Sequence, residues 1–256
     1  MEFSKRRIEH TTPGPVTLTL HLGSGQIGLT SEDATATAVV NLSAPPNTPA
    51  AAAVTAALIE HHGNRMTVET PAIATTAAAA AAMQITGPAG DIALGPGIIT
   101  ATTNPRRSIA AATGSLFDQS VGAGVFVPAG SSLHVRATGP IVANGSLAHV
   151  DAVSAMSVYL LHAEHADIAT DTGDIEIARA AELHAVTREG SITATVTDRA
   201  ALTVSVRGDI TVHARGAAHI TAYTAHGDIT VHAHTPGVTT DLHARNGTVR
   251  IISTRQ

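Results

Sequence analysis

Gly208-Asp209-Ile210-Thr211-Val212-His213 returns nineteen residues later as Gly227-Asp228-Ile229-Thr230-Val231-His232. Variants of the same unit stand at Gly173-Asp174-Ile175, Gly190-Ser191-Ile192 and Gly247-Thr248-Val249, so the five glycines are spaced 17, 18, 19 and 20 residues apart. A second apolar beat falls between them at Leu183, Leu202 with Val204, Ile220 and Leu242. A period near eighteen with two short alternating strands per period marks a β-solenoid. Each coil stacks on the last at about 4.8 Å, with Ile and Val pointing into a narrow interior. Glycine allows the backbone each corner demands, and Asp or Ser can hydrogen-bond at the turn. Extended back to about Val125, the pattern makes roughly seven coils.

Composition agrees with a thin interior. Of 256 residues 44% are apolar but only 2% aromatic, with no Trp, and small side chains cannot fill a wide core. The formal charge of -5 and the single basic run Lys5-Arg6-Arg7 argue against nucleic acid as a partner. Without cysteine there is no disulfide, thiolate zinc site or Cys nucleophile. Ile8-Glu9-His10-Thr11-Thr12-Pro13 is no apolar signal segment. The alanine-rich run Ala72–Thr86 is too short to span a bilayer and reads as a linker or short surface helix. The expected location is the cytoplasm, with no membrane insertion.

Upstream, residues 13–70 read as a small β-rich unit carrying one helix. Val16, Leu18, Leu20 and Leu22 alternate with polar residues as a half-buried strand does. Gly23-Ser24-Gly25 turns the chain, Ile27 and Leu29 resume the alternation, and a third strand is expected over Ala36–Leu42. A helix is expected over Pro49–His62, with Thr48 as N-cap, Val54 and Leu58 on one face and Gly63 at its C-terminal end. Met66-Thr67-Val68 follows as a short strand. Residues 71–123 are an Ala/Gly/Pro-rich connecting segment, expected to be irregular and mobile apart from a short strand Gly90–Leu94, and 124–256 form the β-helix.

Three segments resemble the bacterial putative-adhesin family of β-strand-repeat proteins. They are the hairpin Leu18–Ile27, the segment Val125-Phe126-Val127-Pro128-Ala129-Gly130-Ser131-Ser132-Leu133 that leads into the helix, and the Gly-Asp-Ile ladder from Gly173. The resemblance implies a single-stranded parallel β-helix and no enzyme activity. The fold class is therefore all-β, a parallel helix coiling to the right as parallel crossovers do, with the small N-terminal unit packed against it or capping it.

Three constellations could carry chemistry. His213 and His232 occupy one position of adjacent coils, with His219, His226, His234 and His243 nearby in sequence. They could hold zinc or nickel weakly, but nothing supplies a fixed carboxylate or third ligand, and a solvated outward polar ladder is the favoured reading. Asp174, Asp209 and Asp228 share a corner; turn capping suits them better than Ca²⁺, whose repeats carry more glycine and a tighter period. Glu164, Glu176, Glu182 and Glu189 show no convergent pair, and Tyr159 and Tyr223 are the only tyrosines, so a polysaccharide-acting enzyme is the alternative rather than the first reading. The expectation is a non-catalytic scaffold for protein contacts or self-assembly, with no catalytic residue, cofactor or dedicated metal. The last strand, Thr248-Val249-Arg250-Ile251-Ile252, carries little to cover it, so a homo-oligomer through the C-terminal coil is expected unless Arg250 and Arg255 block pairing by repulsion.

Overall fold

The computed structural model describes residues 3–73, 83–87, 90–94 and 120–253. It divides into two compact units, Met1–Ser131 with Arg136–Asn144, and Ser132–Val135 with Gly145–Gln256.

In the first unit the alternating segment at Val16–Leu22 forms β2 (Thr17–Leu22), with Leu18, Leu20 and Leu22 inward. It follows β1 (Ser4–Glu9) and precedes β3 (Gly25–Glu32) and β4 (Val39–Ala44). The expected third strand is thus present, shifted toward the C-terminus. Helix α1 covers only Pro49–Thr55. Thr48 caps it as expected, its hydroxyl accepting from the Ala51 amide at 3.2 Å.

The expected extension of this helix to His62 is incorrect. After the C-cap at Ala56 the chain enters β5 (Leu58–His62), which pairs antiparallel with β6 (Arg65–Thr70). Gly63 does adopt a left-handed φ of 61°, but in the two-residue hairpin turn between these strands. Leu58 is 66% exposed and shares no buried face with Val54. Strand pairing over five residues outweighs the helix propensity of so short a segment. Arg6 closes the helix end instead, donating to the Thr55 and Ala57 carbonyls at 2.9 and 2.8 Å.

Two further strands, β7 (Met83–Gly87) and the expected β8 (Gly90–Leu94), form an antiparallel pair. The strand at Met83–Gly87 corrects the linker-or-helix reading there; residues 74–82, the rest of that alanine run except Ala72 and Ile73, lie outside the described residues, as does most of the connecting segment.

β9 (Val121–Pro128) pairs with β3 in parallel and with β4 antiparallel. β10 (Ser132–Ala137) and β11 (Ile141–Ser154) then carry the chain onward. The first residues of β11 also pair with β3, Ile141 opposite Ile27 and Asn144 opposite Thr30. β3 therefore lies between β9 and β11, strands that follow one another around a coil. The solenoid has about six turns, one fewer than the spacing suggests; the lead-in β9 does not close directly on the next coil because β3 intervenes.

The second unit is a parallel stack. β12 (Val158–Thr170), β13 (Ile175–Glu189) and β14 (Ile192–Arg207) are long and bent. β15 (Ile210–Ala214), β16 (His219–His226), β17 (Ile229–Ala233), β18 (Thr239–Asn246) and β19 (Val249–Ser253) continue the same two faces of the coil in shorter pieces. Val158, Ile175, Ile192, Ile210, Ile229 and Val249 are successive partners in one file, as the sequence period requires.

On the second face, partners run Leu183–Ala200–Ile220 in one file and Ala185–Leu202–Ala222–Leu242 in the next. Each coil therefore offers one large and one small side chain, and the large one changes place from coil to coil. That alternation fills a thin interior without aromatics and accounts for the abundance of alanine. The sequence beat at Leu183, Leu202, Ile220 and Leu242 is one member of each such couple.

Candidate functional site

The corners fix which side chains the faces present. At Gly190, Gly208 and Gly227 the backbone has φ of 138°, 150° and 148°, and a Cβ there would collide with the carbonyl of the preceding corner glycine. The residue after each glycine ties one coil to the next. Asp174 Oδ1 accepts the Ser191 amide at 2.7 Å, Asp209 Oδ1 the Asp228 amide at 2.8 Å, and Asp228 Oδ1 the Thr248 amide at 2.8 Å. The carboxylates expected at the turns are thus capping groups aimed at the neighbouring coil. The Thr248 amide and hydroxyl hold the Asp228 carboxyl below its usual pKa, and Arg250 adds to this.

Between corners, outward side chains stand in files. Thr193, Thr211 and Thr230 are successive partners, as are Thr195, His213 and His232. The His213 and His232 rings stack with centroids 4.6 Å apart and planes 11° from parallel. His234 joins them, its Nε2 lying 3.4 Å from His213 Nδ1 and its ring 5.7 Å from that of His213. Burial among these rings lowers the His213 pKa, with His232, His234 and Arg215 adding like charge. Rings stacked face to face do not aim their lone pairs at one point. Among the described residues no three His, Asp or Glu side chains are grouped to hold a metal ion.

The other sequence candidates separate. His219 meets the Thr239 hydroxyl at 2.8 Å, and His243 stacks on Tyr223 at 5.7 Å. Glu182 lies 3.1 Å from His165, and Glu189 accepts from Arg188 at 2.8 Å. Burial first, and then Glu176, raises the Tyr159 pKa. Sequence reading missed the pairs that link successive coils seventeen residues apart: His184 with Asp167 at 3.0 Å and Arg188 with Asp171 at 2.6 Å. Spacing could have shown them, since i and i+17 are partners wherever the period is seventeen. It also missed the buried hydroxyls. Thr170 donates to the Gly173 carbonyl at 2.9 Å and Thr224 to the Gly208 carbonyl at 2.9 Å, satisfying corner carbonyls from inside.

In the Pro128-Ala129-Gly130-Ser131 turn, the Ser131 hydroxyl donates to the Pro128 carbonyl at 2.7 Å and accepts the Val16 amide at 3.1 Å. The motif that carries the family resemblance therefore has a structural role. Among solved structures, a putative adhesin from Parabacteroides merdae is similar over 98% of this chain and 96% of that one, at 11% identity and a TM-score of 0.51. The chain shares its fold. A putative adhesin and a putative lipid binding protein from Parabacteroides distasonis are also similar. Their identities are 11% and 11%, and their TM-scores 0.47 and 0.44. They match over 98% and 96% of this chain, and 97% and 96% of their own. No protein-family model and no curated protein matches the chain. Among the described residues no helix is long and apolar enough to cross a membrane.

Proposed function

We propose that the protein is a non-catalytic binding scaffold that contacts another protein through an outward face of its solenoid. The observation that carries this reading is the pair of outward files, Thr193–Thr211–Thr230 and Thr195–His213–His232, held at coil spacing. Regularly spaced hydroxyl and imidazole groups on a rigid sheet suit extended contacts with a protein surface. Several acidic side chains are engaged within the stack: Asp174, Asp209 and Asp228 accept backbone amides, and Glu182 and Asp167 face histidines of adjacent coils.

A photo-cross-linking residue at Thr211 should give discrete protein adducts in the native host. Turnover of any acidic or neutral polysaccharide that a single Glu or Asp substitution abolishes would overturn the reading in favour of an enzyme. Stoichiometric zinc binding lost in the His213→Ala, His232→Ala double variant would overturn it in favour of a metal-binding module.

A further inference from the structure

We propose that the chain pairs with a second copy of itself through the coil edge formed by β18 and β19, antiparallel about a two-fold axis at His243. The inference does not rest on what the outward faces bind.

Its first support is the sudden exposure of the interior. Ile229 and Val231 are 0% exposed, whereas their partners in the next coil, Val249 and Ile251, are 44% and 53% exposed. On the second face Thr240, Leu242 and Ala244 alternate inward over buried Ile220, Ala222 and Thr224, and are only partly covered themselves. Among the described residues β18 pairs only with β16 and β19 only with β17, so the outer edge of each is unpaired within that set. Apolar interior and unpaired amides together fit one more coil of the same width.

The charges identify that coil as another copy. Asp241, His243 and Arg245 are exposed positions of β18, as are the uncharged Thr239 and Asn246 at its ends. Asp241 and Arg245 are four residues apart on one strand, about 13 Å, too far to pair with each other. Asp241 stands over the uncharged Thr221. Among the described residues neither forms an ion pair, although outward charges lower in the stack pair from coil to coil. Laid antiparallel on its own copy about His243, Asp241 comes opposite the partner subunit's Arg245, and Arg245 opposite the partner subunit's Asp241. The strand is self-complementary, which an isologous contact requires. Cross-strand pairs of opposite charge favour that register. The contact is small, two strands about 10 Å apart, and belongs to the weak, concentration-dependent class.

Sedimentation equilibrium from about 1 µM to several hundred µM reads the outcome. The mass should rise from 25.9 kDa toward twice that value. Asp241→Arg sets like charges opposite each other twice and should weaken association at least tenfold, whereas Asp241→Arg with Arg245→Asp restores both pairs and should recover it. Circular dichroism melts of these surface variants should match the parent. A mass fixed at 25.9 kDa throughout would overturn the proposal, including the case in which another segment of the chain covers the edge. Association unaffected by Asp241→Arg, or not recovered by the exchange, would equally overturn it.

Discussion

At the scale of single residues, the corner glycines are the most constrained positions in the chain. Gly208 combines φ of 150° with the Gly190 carbonyl lying where a Cβ would go. Gly208→Ala must therefore move a coil, and a loss of about 3 kcal/mol is expected, a fall in melting temperature of roughly 6–12 °C. Gly14→Ala, left-handed but in open space, should cost less; equal losses would show that crowding at the corner is not the cause. His213 gives a pH signature. Its folded pKa lies below the usual imidazole value through burial among neighbouring rings and nearby positive charge. Above that value both states are neutral. As pH falls through it the unfolded chain binds the proton first, so stability drops toward the lower folded pKa. Melting temperatures from pH 7.5 to 5 should decline less steeply for His213→Asn than for the parent, and parallel slopes would contradict the stacked arrangement.

At the scale of elements, strand alternation predicts opposite costs for neighbouring positions. Ile210 is fully buried in the file between Ile192 and Ile229, whereas Thr211 faces outward. Ile210→Asp places an unpaired charge in the interior and should cost several kcal/mol, while Thr211→Asp should change stability by less than about 1 kcal/mol. Denaturant midpoints measure the difference. The same alternation made this part of the fold legible: Gly, polar, Ile at a rising spacing of 17 to 20 residues leaves few other ways to bury the apolar positions. Only the start of the helix is legible in the sequence, for a physical reason. Local sequence marks its start at Thr48 and Pro49, but its end is set by the pairing of β5 with β6, a partner no local pattern reveals. The insertion of β3 between β9 and β11 is hidden for the same reason, since Gly25 and Val121 are almost a hundred residues apart yet partners.

At the scale of the whole molecule, repetition makes local errors tolerable and register decisive. The stacking of His213 on His232 could be read from the sequence because both follow the same five-residue unit. The place of His234 in that cluster could not, because it sits beyond its strand, at a bend the period does not fix. Each outward file, and every contact proposed for it, depends on coils stacking with Thr193, Thr211 and Thr230 in line. The natural chain has no cysteine, so paired substitutions report this register without background. Disulfides need Cα atoms about 4.4–6.8 Å apart, a range that adjacent coils meet and coils two apart, near 9.6 Å, do not. The decisive measurement is oxidative cross-linking of Thr193→Cys with Thr211→Cys, Thr211→Cys with Thr230→Cys, and Thr193→Cys with Thr230→Cys, each read as an intramolecular bond by peptide mass spectrometry. The first two pairs should close readily and the third should stay reduced; failure of the first two, or equal closure of the third, would contradict the in-register parallel stack.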